Sequence, residues 1–168
     1  FDFGSDGWAY KKNIIEGTVP DGGFVIDDTW TQNAKFPMGY ANEGTSISNV
    51  LSQQNGTVIP KGDGALSIVI QKNVTINNLS NFSGFLASAI VDDAAVMFVN
   101  GKPAALIHAV EQESGENVAL GYTRAAVVDD PFSESQKAKS TYTDVPVARS
   151  LFVEGENTIT ILLLNDRK

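Results

Sequence analysis

The stretch that most constrains this chain is Ala89–Gly101, AIVDDAAVMFVNG: an apolar run, a doubled aspartate, a second apolar run and then Asn-Gly. A two-residue type I′ turn needs positive φ at both central positions, which Asn and Gly tolerate best. Asn100-Gly101 behind a run of apolar, partly β-branched residues therefore predicts a hairpin. Lys102–Ile107 is the expected returning strand, with Pro103 confined to its start or to a sheet edge because proline cannot donate to a ladder.

The rest of the chain repeats this grammar. Trp8-Ala9-Tyr10-Lys11 alternates as a short strand. Within Ala65–Ile76, Leu66, Ile68 and Ile70 fall on one face with Ser67 and Gln71 opposite, the period of two of a half-buried strand. Thr158–Leu164 sets Ile159, Ile161 and Leu163 against Thr158 and Thr160, and Leu162 and Leu164 then make it apolar on both sides, as a central strand requires. Thr57–Pro60, Phe85–Val91, Val118–Val128 and Thr141–Ala148 are further expected extended segments. Residues 27–48 read as irregular loop, and Asn77–Ser83, Glu111–Asn117 and Glu154–Asn157 as turns or loops. Ser133–Ser140 is the one stretch with helical-turn character, and it lacks an apolar stripe. Short strands, frequent turn signals and almost no helix predict one all-β domain, a two-sheet sandwich or a barrel. A chain of 168 residues is long enough for one sizeable core.

Composition narrows the function. A formal charge of −8 argues against nucleic acid and anionic membranes as partners. No apolar run approaches the ~18–20 residues that cross a bilayer, so no membrane insertion is expected. The absence of cysteine removes disulfides, thiol nucleophiles and cysteine-ligated zinc. Asn55, Asn73, Asn78 and Asn81 each open an N-x-[ST] sequon and are candidate glycosylation sites of a secreted protein, although a chain rich in Asn, Ser and Thr also produces such motifs by chance. The G-x-S-x-G, phosphate-loop and H-E-x-x-H signatures are missing. The sole histidine, His108, sits in LIHAV with no acid at a recognised spacing and reads as structural. No catalytic residue is assigned, and the chain is not expected to be an enzyme.

Two segments, DDAAVMFVNGKP at 92–103 and LFVEGENTITILLLN at 151–165, together resemble the galactose-binding-like modules of secreted and cell-surface proteins. Trp8-Ala9-Tyr10, Phe36-Pro37-Met38-Gly39-Tyr40 and Gly121-Tyr122-Thr123 are weaker echoes in the same order. The resemblance implies a jelly-roll β-sandwich, galactose-binding-domain-like, over residues 1–168 and an extracellular setting. Such modules include carbohydrate-binding domains, adhesion domains and structural spacers, so the fold does not decide the job. The expected function is non-catalytic binding of carbohydrate or a cell-surface glycan. The alternative is a structural or adhesive module, or a subunit of an extracellular fibre. These modules usually continue past the stretch equivalent to 151–165 with a closing strand. Here either the chain is cut short, or Phe1-Asp2-Phe3 fills the slot, or a neighbouring subunit supplies a strand.

A sugar ring calls for an aromatic face and planar polar side chains. Trp30, Tyr40, Asn42, Tyr122 and Arg124, all in expected loops or strand ends, are the candidates. Trp8 and Trp30 equally suit a core, and Arg124 equally suits a surface ion pair. Asp92 and Asp93 have two readings: capping backbone N–H groups at a strand entrance, or ligating Ca²⁺ or a sugar hydroxyl. Calcium takes about six to eight oxygens, and no D-x-[DN]-x-[DN]-G loop is present, so structural Ca²⁺ is the only cofactor in question.

Overall fold

A computed structural model describes residues 6–41, 46–60, 67–89, 91, 94–115, 117–125 and 143–165. The hairpin that Asn100-Gly101 predicts is there. β7 (Ala94–Val99) and β8 (Lys102–Ile107) pair antiparallel around a turn whose central residues have φ 53 and φ 80. Glycine is required at the second position twice over. Besides the positive φ, a Cβ there would lie 2.1 Å from the Pro20 carbonyl oxygen. Pro103 lies on β8, an edge strand, as its missing N–H demands.

The Asn100 side chain ties this turn to the other family-like segment. Its Nδ2 donates to the Leu151 carbonyl (3.0 Å) and to Asn157 Oδ1 (2.9 Å), and its Oδ1 accepts from the Thr158 N–H (2.9 Å). Asn157, 1 % exposed, also accepts from the Val153 N–H and donates to the Val153 and Gly155 carbonyls. A buried amide whose donors and acceptor are all engaged specifies one arrangement of the loops it joins. The two stretches that carry the resemblance thus meet in one scaffold network.

The main sheet has six antiparallel strands in the order β2-β1-β5-β12-β7-β8. β1 is Trp8–Lys12, β2 Thr31–Ala34, β5 Ser67–Ile76 and β12 Gly155–Leu164. β12 lies between β5 and β7, the central position its two-sided apolar pattern requires. Three short pairs complete the described strands: β3 (Met38–Ala41) parallel to β4 (Thr57–Pro60), β6 (Phe85–Ala89) antiparallel to β11 (Thr143–Val147), and β9 (Ala109–Glu111) antiparallel to β10 (Tyr122–Arg124). The fold is all-β and built mainly of antiparallel sheets.

Because side chains alternate, each face of the main sheet gathers its own core. On the first face Val69, Val96, Phe98, Leu162 and Leu164 are buried beneath residues 13–30 and the β9–β10 ribbon, which contribute Val19, Trp30, Ala109, Leu120 and Tyr122. On the second face Trp8, Ile68, Ile70, Val99 and Ile159 pack with Ile59 of β4, Val147 of β11 and Phe152.

The structure corrects the expected loops in several places. Residues 27–48 are not irregular throughout, because β2 and β3 lie within them, and α1 (Ser46–Gln53) begins before the expected polar loop ends. Within Val118–Val128 only β10 is a strand among the described residues, because positive φ at Leu120 and Gly121 folds the chain back at a tight turn. The Glu154–Asn157 turn is shorter than expected, since β12 starts at Gly155. Most of Ser133–Ser140's neighbourhood, 126–142, lies outside the described residues.

Candidate functional site

The first face is closed by polar clamps as well as by apolar contact. Gln71, 2 % exposed, points from β5 into that face. Its Oε1 accepts from the Phe24 N–H (2.7 Å) and the Thr160 hydroxyl (3.0 Å), and its Nε2 donates to the Phe24 carbonyl (2.7 Å). Ser67 Oγ donates to the Ile14 carbonyl, and the Leu120 N–H to that of Ile15, which joins residues 13–30 to the β9–β10 ribbon. The chain covers this face with its own segments.

The second face is covered unevenly. On β12 the first-face residues Thr160, Leu162 and Leu164 are 0 %, 0 % and 4 % exposed. Ile161 and Leu163, on the opposite face of the same strand, are only partly buried, as are Met97 on β7 and Val74 and Ile76 on β5. Ile161, Leu163 and Met97 are paired on both sides, so their exposure is not that of a sheet edge, whereas Val74 and Ile76 extend beyond β1, which pairs β5 over Ile68–Gln71.

Above this face lies β6, whose sequence FLASA alternates inward and outward. Phe85 and Ala87 face the core, Phe85 packing 4.1 Å from the Phe152 ring, while Leu86 stands 60 % exposed opposite Pro146. β11 lies close to β8 without pairing with it. Among the described residues β6 has one pairing partner, and the backbone groups of its second edge meet no strand.

The residues expected to bind a sugar do not converge. Trp30, 6 % exposed, packs 6.0 Å from Phe24 in the first core, and Tyr122, 7 % exposed, meets Phe98 edge-on at 5.6 Å in the same core. Neither offers an open face for stacking, which corrects their expected place in exposed loops: the segments that bear them are the cover of the first face. Tyr40 belongs to β3, where it pairs with Ile59 of β4. Arg124 is half-buried at the end of β10. Asn42, Asp92 and Asp93 lie outside the described residues, and among the described residues no group of three or more acids or histidines is placed to hold a metal.

All four sequon asparagines are exposed. Asn55 follows α1, Asn73 accepts a hydrogen bond from the Thr158 hydroxyl on β5, and Asn78 and Asn81 lie at the two ends of a short 3₁₀ turn. His108 occupies a left-handed corner (φ 53) where the chain leaves β8 for β9, and its carbonyl accepts from the Ala125 N–H at 2.7 Å. No helix among the described residues is long and apolar enough to cross a membrane.

The open β6 edge and the partly bared second face went unnoticed in the sequence. The one local signal was FLASA itself, a short strand with a large apolar residue on its outward side. Compared with protein-family models and with curated proteins, the chain finds no match.

Proposed function

We propose that this chain is a non-catalytic extracellular module of the galactose-binding-like β-sandwich type that works by self-association. An extended segment of a second copy adds to the open edge of β6 and completes the cover of the second face. The observation that carries this reading is the inequality of the two faces on the same strands: Leu162 and Leu164 are sealed, while Ile161, Leu163 and Met97 are not. Strand addition would supply main-chain hydrogen bonds for an edge of β6 that meets no strand among the described residues, and side chains for alternate pockets. A donor and an acceptor on different surfaces of one chain make a head-to-tail contact, which propagates into an open fibre unless the rotation closes a ring.

Glycan recognition has less support. It needs an accessible aromatic face, and Trp30 and Tyr122 both lie in the first core. The deciding experiment is static light scattering over a wide concentration range with negative-stain micrographs of the same samples. Mass that grows with concentration, with fibres or rings in the micrographs, supports assembly. A monodisperse monomer throughout contradicts it.

A further inference from the structure

A cleft of about 410 Å³ opens on the first-face side, between Thr18-Val19, the start of β8 and the β9–β10 ribbon. That is within the size range of small-ligand sites. Val19, Phe98, Leu120 and Tyr122 form its apolar floor, and Glu111 and Glu113 stand exposed at its rim. Among the described residues that line it there is no Lys, Arg or His.

Tyr122 gives the cleft a specific chemistry. The ring is more than nine-tenths buried, yet its hydroxyl makes no hydrogen bond among the described residues. Because the residue lines the cleft, water or a ligand donor entering the cleft is the partner left for this hydroxyl. Glu111 sits directly opposite Tyr122 in the ribbon register. Burial, and secondarily the Glu111 carboxylate, raise the phenol above its ordinary range, so at neutral pH it keeps its proton and its oxygen lone pairs accept.

We propose that this cleft binds a primary alkylammonium group, with the alkyl stem on the apolar floor and the ammonium between the Glu111 and Glu113 carboxylates and the Tyr122 hydroxyl. An ammonium carries three donors and no acceptor; the two carboxylates offer acceptors only, and the Tyr122 oxygen can accept while its own O–H donates to a carboxylate. Anionic ligands meet two carboxylates and no cation. A neutral sugar would bring no positive charge to the two carboxylates. The group is the one borne by a lysine side chain and by free polyamines, and the proposal stands independently of self-association.

The test is a titration of the ¹⁵N-labelled chain followed through its amide resonances, with n-hexylammonium, 1-hexanol and methyl β-galactoside as probes. Saturable shifts confined to the cleft residues with n-hexylammonium, and affinity for 1-hexanol lower by about tenfold or more, are expected from the strength of charge-assisted hydrogen bonds. Tyr122→Phe should weaken n-hexylammonium about three- to tenfold by removing one acceptor. Glu111→Gln, at an exposed position that leaves folding untouched, should reduce the preference over hexanol. Parallel titrations with spermidine and with Nα-acetyl-lysine methylamide assign the source, since either binding more tightly supports the site. Hexanol or the galactoside binding as tightly as n-hexylammonium, an unchanged affinity in Glu111→Gln, or no saturable shift overturns the proposal.

Discussion

The two faces of the main sheet are built from the same strands and finished differently. On the first, residues 13–30 and the β9–β10 ribbon are held down by Gln71, Ser67 and the Leu120 amide, and the inner-strand residues beneath them are sealed. On the second, Ile161, Leu163 and Met97 stay partly bared, and β6, which packs on this face through Phe85 and Ala87, has one pairing partner among the described residues. Where the polar clamps sit goes with the difference. A loop that must cover a sheet needs partners for its backbone groups, and Gln71 supplies them from within the apolar face. On the second face Asn157 of β12 holds Val153 and Gly155 in the same way, but at the end of the strand, away from Ile161 and Leu163.

If the faces differ as described, truncating neighbours on β12 separates them. Leu162→Ala should cost about 3–5 kcal/mol, the upper range for a sealed leucine, whereas Leu163→Ala in the isolated chain should cost about 1–2 kcal/mol, because its site is already partly open to water. Urea unfolding of the two variants measures this directly, and equal losses would break the comparison. Gln71→Leu strands the Phe24 N–H and carbonyl and the Thr160 hydroxyl, and should cost about 2–4 kcal/mol. Hydrogen exchange in that variant should accelerate across residues 13–30 before the second face responds.

A smaller effect on stability, but the sharper one for function, is expected from Leu86→Lys. The side chain is 60 % exposed, so unfolding should shift by no more than about 0.5 kcal/mol. A lysine on an open strand edge opposes pairing with another chain, so association seen by light scattering should fall sharply. The smallest effect concerns Asp27, at the foot of the loop that covers the first face. The hydroxyl and the amide N–H of Thr29 both donate to its carboxylate, and these bonds, with Lys11 at longer range, hold its pKa below the ordinary aspartate value of 3.8. A depressed folded-state pKa contributes stability above the unfolded value and loses it as pH falls through the folded one. Carboxyl chemical shifts followed down from pH 5 should show Asp27 titrating later than an unperturbed aspartate. Asp27→Asn should flatten whatever acid dependence that loop has.

Much of this architecture was legible because its signals are local. Asn100-Gly101 specified its turn and the two-sided apolar pattern of β12 a central strand, whereas β5, which reads as half-buried, is buried on both faces over Ser67–Gln71 because residues 13–30 cover its polar side. What failed to read depends on partners far along the chain. β2 (TQNA) and β3 (MGYA) have no apolar alternation, and pairing with β1 and β4 makes them strands. α1 did leave a trace, since Ile47, Val50 and Leu51 fall at i, i+3 and i+4, and Leu51 is buried. Trp30 and Tyr122 looked like loop aromatics because nothing nearby in sequence says that their segments fold back over the sheet. The unequal covering of the two faces is a property of the whole chain and has no local signature.

The central claim is that the second face is completed by another copy at β6. Amide hydrogen exchange of Phe85–Ala89, read residue by residue in dilute and in concentrated samples, tests it most directly. The account predicts that alternate amides of this strand, those facing its open edge, gain protection as concentration rises, while the amides of β12 and β5 stay as they were. Exchange at β6 that is identical at every concentration would contradict it.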